Sequence, residues 1–403
     1  MTRVARIVSV VAVAVATVVL IAAIEPTASA QGGAAAPAYR VEPFWPQPLQ
    51  NHWVFGSITG VAVDAQDHVW VVHRGADSLE NNEKGMMVTP RTSSVCCVAA
   101  PFVLEFDAAG RLVSSFGGPG QGYQWFQSPG SLAVDAKGNV WLTGAGLEPT
   151  GGRGRSQSPA AAPAPATDAH VLKFSKAGQF LLQIGKPGLV EGASSRTTLN
   201  RPAAVAVDAP ASEVYIADAG NRRVVVFDSE TGAYKRHWGA YGQSPGEAPG
   251  AYDPNTPPAR QFRDVTCVDI AKDGLVYVCD RTSNRIQVFR KDGTFVKEAI
   301  VSKNTMGATV TGQFGVLSSH GSTWDLAFSN DAAQRFLFVA DGHDKKVIVL
   351  VRDTMAEVGQ IGDGGRQPGR FLAVGSIAVD SRGNLYTGEQ HHGKRVQKFV
   401  PGQ

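Results

Sequence analysis

A short pattern of alternating apolar and polar residues recurs six times along the chain. Each unit has one alternating strand, a polar turn that carries Gly or Asp, and a second alternating strand. The first strands span 60–64, 131–135, 204–208, 267–271, 325–329 and 376–380, and the second strands span 69–72, 140–142, 214–216, 276–278, 337–339 and 385–386. A period of two residues predicts β-strands that each bury one face.

Two further strands follow most of these pairs. The third strand opens with a polar turn, clearest at 218–224 and 280–286 and weaker at 341–347 and 389–396. Outer strands are predicted at 112–116, 180–184, 234–238 and 295–300. Four-stranded units that cannot bury both faces alone must stack, and radial stacking protects their edges. Six in-phase repeats therefore predict an all-β, six-bladed propeller rather than a β-sandwich, with Tyr39 to Phe44 as the outer strand of the last blade.

The N-terminal residues have the pattern of an export signal. Arg3 and Arg6 precede an apolar run over 7–24, and the small residues 28–30 provide a cleavage site. This pattern predicts a signal peptide over 1–30 and a propeller over 31–403, secreted or periplasmic. The run is also long enough to span a bilayer, so an uncleaved anchor is the alternative.

Charge and composition narrow the choice of partners. The formal net charge is +3 and the basic residues are scattered, which indicates neither nucleic acid nor, once the signal is cleaved, a membrane surface as partner. Two segments rich in Pro, Gly and small residues, 149–168 and 243–261, interrupt the repeats and are predicted to be flexible surface insertions.

The four cysteines fall into two groups. Cys267 and Cys279 flank the turn at Asp273 at equal distances, so an antiparallel hairpin would place them opposite each other, as a disulfide or as two buried thiols. Cys96 and Cys97 are adjacent, and either form a vicinal disulfide, stay reduced or pair elsewhere. An exported chain would allow both disulfides to form.

Two motifs carry a family resemblance. The turns at 218–224 and 280–286 resemble the NHL repeat, and His73-Arg74-Gly75 with Cys279-Asp280-Arg281 resembles the peptidyl-α-hydroxyglycine α-amidating lyase family, including its secreted bacterial members. The resemblance covers nearly all of the chain after the signal. It implies a central cavity with a zinc ion on three histidines, a nearby calcium, a tyrosine and two arginines, in which the zinc assists C–N cleavage.

This sequence keeps only part of that implied site. The two arginines match Arg74 and Arg281. The three zinc positions fall on Gly130, Thr266 and Gly375, the calcium carboxylate position on Ser376, and the tyrosine position near Gly220. None of the three zinc positions can supply an imidazole, so the resemblance predicts a relative that has lost the zinc, and no cofactor is expected unless a site for zinc or calcium has been rebuilt.

Other turn residues leave alternatives open. His73, His343 and His391 lie in turns on one face and either form a rebuilt three-imidazole site or are exposed turn residues. Arg74 and Arg281 either clamp an anionic group or lock blades together through Asp77, Asp218 or Asp280.

Two functions therefore remain for this chain. The first is a binding propeller that holds a small anion, a peptide or a protein partner in its central funnel, with Arg74, Arg281, His73, His343 and His391 as candidate ligand-binding residues. The alternative is an active peptidylamidoglycolate lyase with a rebuilt metal site, in which Arg74 and Arg281 are catalytic. Whether the chain is an enzyme stays undecided at this point.

Overall fold

The described residues of the computed structural model form six four-stranded antiparallel sheets, together with two small two-stranded ones. The structure describes residues 35–144, 168–305, 309–310, 317–318 and 321–402. The predicted signal peptide and all but the last residue of the insertion over 149–168 lie outside the described residues. Among the described residues, no helix has the length and apolar character needed to cross a bilayer.

Each sheet is one blade, and in blades one to five the four strands follow one another in chain order from the centre outward. Blade one consists of Ile58–Val63, Val69–His73, Val103–Phe106 and Leu112–Phe116; blade two of Pro129–Val134, Val140–Gly144, His170–Phe174 and Phe180–Gly185; blade three of Pro202–Asp208, Glu213–Asp218, Arg223–Asp228 and Tyr234–Trp238. Blade four consists of Val265–Ile270, Val276–Asp280, Arg285–Phe289 and Phe295–Ile300; blade five of Asp325–Phe328, Phe336–Asp341, Lys346–Val351 and Glu357–Ile361.

The sixth blade joins the two ends of the described chain. Its inner strands are Val374–Val379, Leu385–Glu389 and Val396–Pro401, and its outer strand is Tyr39–Glu42. Tyr39 pairs with Pro401 and Glu42 with Lys398, antiparallel. The predicted six-bladed propeller and its N-terminal closing strand are therefore confirmed, the strand being shorter than predicted because it ends at Glu42.

Several short elements lie outside the six four-stranded sheets. Within the described ranges, five 3₁₀ turns lie at Gly75–Ser78, Asn81–Glu83, Ala219–Asn221, Ala240–Gly242 and Arg281–Ser283. Two pairs of two-residue strands also form, Trp53–Val54 with Val98–Ala99 in parallel and Thr309–Val310 with Leu317–Ser318 in antiparallel orientation.

An aspartate after the innermost strand explains why the first turn of the repeat is polar. In blade two, Oδ1 of Asp135 accepts hydrogen bonds from the backbone of Lys137 and Asn139, both at 2.9 Å, and its Oδ2 accepts one from Trp141 Nε1 at 3.1 Å. Asp64 and Asp380 do the same in blades one and six. One carboxylate thus closes the turn and fixes the ring of the next strand.

Apolar side chains from the alternating strands pack between neighbouring blades. Trp70 of blade one lies with Leu132 and Phe174 of blade two, and Val226 of blade three with Phe289 of blade four. Burial of each such side chain contributes roughly 1.5–3 kcal/mol. The innermost strands also approach closely, because a Cβ on Gly60 would lie 2.7 Å from the backbone nitrogen of Leu132.

Both cysteine groups form disulfides, Cys96 with Cys97 and Cys267 with Cys279. The second pair joins directly opposed residues of the first two strands of blade four. The segment Gln243 to Gln261, predicted to be flexible, is held to the propeller by hydrogen bonds from Arg285 to the carbonyls of Ala259 (2.7 Å) and Gln261 (2.9 Å). Its flexibility stays a prediction.

Candidate functional site

A cavity of about 80 Å³ lies on the propeller axis and is lined by residues from all six blades. We call it the upper chamber, and the face on which it opens, which carries the turns after each second strand, the upper face. Its charged lining residues are Arg74, Arg201, Arg281, Asp264 and Asp325. One water requires roughly 10–15 Å³ by a comparable measure and pockets for drug-sized ligands have roughly 300–1,000 Å³, so the chamber suits a small group.

Arg281 is held from two sides. Its Nε and Nη2 both donate to Oδ2 of Asp264, at 3.0 and 2.7 Å, and its guanidinium lies 4.9 Å from the ring centroid of Trp324. This partner differs from the predicted Asp77, Asp218 or Asp280. The carboxylate and the indole hold the guanidinium at the chamber wall with only 9% of the residue exposed.

Asp264 owes its position to the turn of blade four. Its backbone nitrogen donates to Oδ1 of Asp280 at 2.9 Å, and Oδ2 of Asp280 accepts from Arg285 Nε, also at 2.9 Å. Asp280 and Arg285 are both fully buried. The motif that carries the NHL resemblance therefore positions the partner of Arg281.

His73 holds the loop beside Arg74 instead of facing the chamber. Its Nδ1 accepts from the backbone nitrogens of Gly56 (3.0 Å) and Gly75 (3.1 Å), so Nε2 carries the proton and donates to the Pro101 carbonyl at 2.8 Å. Burial lowers the pKa of His73 to about 4. Both ring nitrogens already have partners, whereas Arg74 lines the chamber.

Arg201 also lines the chamber, and sequence patterns did not identify it. Its backbone is left-handed, with φ of 52°, between Asn200 and Pro202. The Asn200 backbone nitrogen donates to Asp218 at 2.7 Å, and Asp218 in turn accepts from the buried Arg223 at 2.8 Å. A signal was present, because Arg201 precedes Pro202 at the start of an innermost strand as Ser128 precedes Pro129.

The three positions that the lyase resemblance assigns to zinc do converge. Gly130, Thr266 and Gly375 all line the upper chamber. Their side chains offer no imidazole, and the Thr266 hydroxyl donates to the carbonyl of Thr323 at 3.1 Å. The residues present at these positions do not fit a zinc ion.

The remaining turn residues lie apart from one another. His343 is exposed, and His391, also exposed, packs its ring edge-on against Trp324 at 6.3 Å between centroids. Ser376, at the calcium position, is buried, and Gly220, near the tyrosine position, donates its backbone N–H to Asn200. The structure thus places His391 near the chamber wall, and His73 and His343 elsewhere.

Within the described ranges, one group of His and acidic residues has metal-like spacing, and it lies outside the upper chamber. It consists of Asp64, His68 and Glu105. The ammonium of Lys176 lies 3.3 Å from Asp64 and 2.9 Å from Glu105. The ammonium group of Lys176 therefore already balances the carboxylates of this cluster.

Two carboxyl groups lie deeper in the channel. Asp325 lines the upper chamber and also a second cavity of about 370 Å³, which we call the lower chamber. Asp269 lines the lower chamber as well. Burial raises the pKa of each to about 7, and the charge of Asp269 adds to the shift of Asp325. The Asp325 carboxyl accepts from the Ile377 backbone at 3.0 Å.

Known proteins agree with this architecture. The NHL repeat family matches residues 262–289, which span the innermost strand, turn and third strand of blade four. Peptidyl-glycine alpha-amidating monooxygenase A of Xenopus laevis is 25% identical over 247 residues, 60% of this chain. Its counterpart from Rattus norvegicus is 25% identical over 251 residues, also 60% of this chain.

The protein is an NHL-repeat β-propeller related to the α-amidating enzymes. The matched part corresponds to 22% of the length of each of these two relatives, so the propeller is compared with only a portion of them. A solved structure of a protein of unknown function from Bacteroides thetaiotaomicron has 14% identity and a TM-score of 0.53, and the match covers 91% of this NHL propeller and 76% of that chain. That likeness shows the fold alone.

Proposed function

We propose that this NHL propeller is a secreted protein that binds a small anion, or the anionic end of a peptide or protein partner, in its upper chamber without the zinc of the lyase family. The observation that carries the proposal is the convergence of Arg74, Arg201 and Arg281, from blades one, three and four, on one small cavity. Guanidinium groups bind carboxylate and related anions in planar, two-pronged fashion.

The surroundings favour this role over a purely structural one. Asp264 neutralises Arg281, and the rest of the charged lining consists of two arginines, Arg74 and Arg201, and one carboxyl group, that of Asp325. Asp325 is a weak counterion because its pKa is raised to about 7. An excess of positive charge in a cavity of low dielectric attracts anions more strongly than it would in water.

Export is the second part of the proposal. Its support is the signal pattern of residues 1–30 together with two disulfides, which are typical of oxidising compartments.

The alternative is a lyase with a rebuilt metal site. Its support is the relationship to amidating enzymes and the presence of Arg74 and Arg281 at the matching positions. In a rebuilt site from His73, His343 and His391, the ring nitrogen of His73 that binds the metal would have to give up its present partners, which are Pro101 at Nε2 or Gly56 and Gly75 at Nδ1. The binding function requires no such change, and for this reason we prefer it.

Titration calorimetry with sodium sulfate tests the binding proposal. We expect saturable one-site binding to the purified protein, weakened roughly tenfold or more in Arg281→Gln because a charge-assisted contact is lost. Arg335→Gln is the matched control, since Arg335 is exposed on blade five and is absent from the chamber lining. The same preparation should contain less than one zinc per chain and release no glyoxylate from a peptidyl-α-hydroxyglycine. One tightly bound zinc per chain, lost in His73→Ala or His343→Ala, would overturn the proposal in favour of the lyase.

A further inference from the structure

We infer that the lower chamber binds a primary ammonium group carried on a slender aliphatic chain, with Asp269 as the carboxylate that anchors it. The chamber has a volume of about 370 Å³, which lies within the range of roughly 300–1,000 Å³ found for small-molecule sites. The inference goes beyond the proposed function, because the three arginines of the upper chamber are absent from the lining of the lower one.

One position of the innermost strand differs in blade four from its equivalents in the other five blades. In every blade this residue pairs with an aromatic residue of the second strand, as Ala62 does with Trp70 and Asp269 with Tyr277. The six equivalent residues all line the lower chamber, and they are Ala62, Ala133, Ala206, Asp269, Ala327 and Ala378. Alanine therefore satisfies the fold at this position, and the carboxyl group of Asp269 has to be explained in another way.

The carboxyl group of Asp269 has few interactions within the protein. Its Oδ1 accepts a hydrogen bond from the backbone nitrogen of the next residue, Ile270, at 2.7 Å, and its Oδ2 accepts none from the described part of the chain. Burial raises the pKa of this carboxyl group to about 7, because an enclosed carboxylate loses hydration that nothing replaces. A cation in the lower chamber would supply the missing interaction at Oδ2.

Asp325 adds a second carboxyl group beside Asp269. At its position, two residues nearer the upper face, the other blades have small side chains or none: Gly60, Ser131, Ala204, Cys267 and Ser376. The charge of Asp269 raises the pKa of Asp325, so the two groups are close enough to interact. Asp325 already accepts hydrogen bonds from the backbones of Leu326 and Ile377. It therefore contributes charge, whereas Asp269 offers the oxygen that lacks a partner.

The wall of the lower chamber suits an ammonium group better than a metal ion. An ammonium group has three N–H donors, and each innermost strand is a sheet edge whose backbone carbonyls have no partner strand on the side of the channel. Calcium requires roughly six to eight oxygen ligands at short distance. In the described ranges, Asp269 and Asp325 belong to no group of three metal-ligating side chains.

The lower chamber extends to the face of the propeller opposite the upper face. Its lining includes Ser329, Asn330 and Gln334, at the turn that follows the innermost strand of blade five. Apolar residues such as Ile270 and Phe328 also line it. A slender chain that enters from this face would contact apolar side chains along its length and place its terminal ammonium group at Asp269.

Titration calorimetry at pH 8 with n-butylamine, compared with uncharged n-butanol, tests the inference. At this pH the amine is protonated and a carboxyl group with a pKa of about 7 is ionised. Asp269→Asn removes the charge and keeps the shape, and Asp269→Ala introduces the residue of the other five blades, so both variants should fold. Asp292→Ala is the matched control, since Asp292 is exposed in the same blade and absent from the chamber lining.

We expect saturable one-site binding of n-butylamine to the wild type, and binding of n-butanol at least about tenfold weaker because the charge-assisted contact is missing. Asp269→Asn and Asp269→Ala should weaken the binding of n-butylamine roughly tenfold or more, and Asp292→Ala should leave it within about twofold. N-acetyl-lysine amide distinguishes two sources of the ammonium group. Comparable affinity for it indicates the lysine side chain of a partner, and binding of n-butylamine alone indicates a free amine; either result supports the inference.

Three outcomes overturn the inference. These are equal affinities of the wild type and Asp269→Ala for n-butylamine, equal affinities of the wild type for n-butylamine and n-butanol, and binding of neither amine. Binding of calcium chloride without either amine would assign the chamber to a metal ion instead. Each of these results leaves the proposed anion site in place, because sulfate binding is measured separately and Asp269 does not line the upper chamber. Thermal melting of each variant shows whether a loss of binding follows from a loss of fold.

Discussion

Blades four and five have the same turn after their second strand but hold it together differently. In blade four, Asp280 and Arg285 form a fully buried ion pair, and Arg285 also donates to the carbonyls of Ala259 and Gln261. In blade five the corresponding residues are Asp341 and Lys346, and Oδ2 of Asp341 has no hydrogen-bond partner in the described part of the chain. The turn forms in both blades, so the ion pair is not what makes it.

The difference lies in what each aspartate holds. Oδ1 of Asp280 accepts from the backbones of Arg263 and Asp264, and Asp264 is the counterion of Arg281 at the upper chamber. Among the described residues, Asp341 accepts hydrogen bonds only from two residues of its own turn, His343 and Asp344. The complete ion pair therefore occurs where the turn must also position a residue of the candidate site.

The difference between the two turns is tested most strongly by removing the cation from each of them. Arg285→Met should lower the free energy of unfolding by roughly 3–5 kcal/mol because it leaves Asp280 buried and charged without its partner. Lys346→Met, in the half-buried position of blade five, should change it by less than about 1 kcal/mol. Urea unfolding followed by fluorescence measures both. Equal effects of the two substitutions would show that the turns are equivalent after all.

A second prediction concerns the carboxyl group of blade five. Burial raises the pKa of Asp341 to about 7, above its value in the unfolded chain, so the folded state binds more protons and stability falls as the pH rises from about 4 to about 7. Asp341→Asn removes this loss and should be more stable than the wild type by roughly 1–3 kcal/mol at pH 8. The gain should disappear near pH 4.

The control for this experiment is Asp353→Asn, an exposed residue of the same blade. It shows how much of any change comes from removing a surface carboxylate of that blade. Thermal melts at pH 4, 6 and 8 would contradict the assignment if the Asp341→Asn difference were constant across the series.

The smallest expected effect links blade five to the upper chamber. Asp325 has a pKa of about 7 and shares the channel with Arg74, Arg201, Arg281 and the carboxyl groups of Asp264 and Asp269. Protonation below pH 7 removes a negative charge, so sulfate should bind several-fold more tightly at pH 6 than at pH 8. In Asp325→Asn, the affinity for sulfate should change little between pH 6 and pH 8. If the affinity changes with pH as much as in the wild type, another group is responsible for the titration.

The strands and their grouping could be predicted because the alternation of apolar and polar residues is a local property of the sequence. The outer strands at 112–116, 234–238 and 295–300 match the observed bounds. The closing strand stops at Glu42, two residues before its predicted end at Phe44. Strand ends depend on hydrogen bonds to distant partners, which a local pattern does not contain.

The candidate site was only partly predictable. The resemblance to the lyase family places Gly130, Thr266 and Gly375 together, and all three line the upper chamber. The same reasoning could not show that backbone atoms occupy both nitrogens of His73, because one of the partners, Pro101, lies 28 residues away in sequence. Arg201 was missed because the motifs that carry the resemblance assign the two arginines to Arg74 and Arg281, although its place before Pro202 repeats that of Ser128 before Pro129.

The closing strand of blade six has a consequence for how the ring assembles. Tyr39–Glu42 pairs with Val396–Pro401, and the Tyr39 hydroxyl donates to the Gly383 carbonyl, 344 residues away. Contacts of such high sequence separation form late and slow folding, since the loop between them must first be organised. Until that moment blade six has a bare edge that any extended peptide of suitable register could cover. The last step of folding is thus also the step most open to competition from another chain.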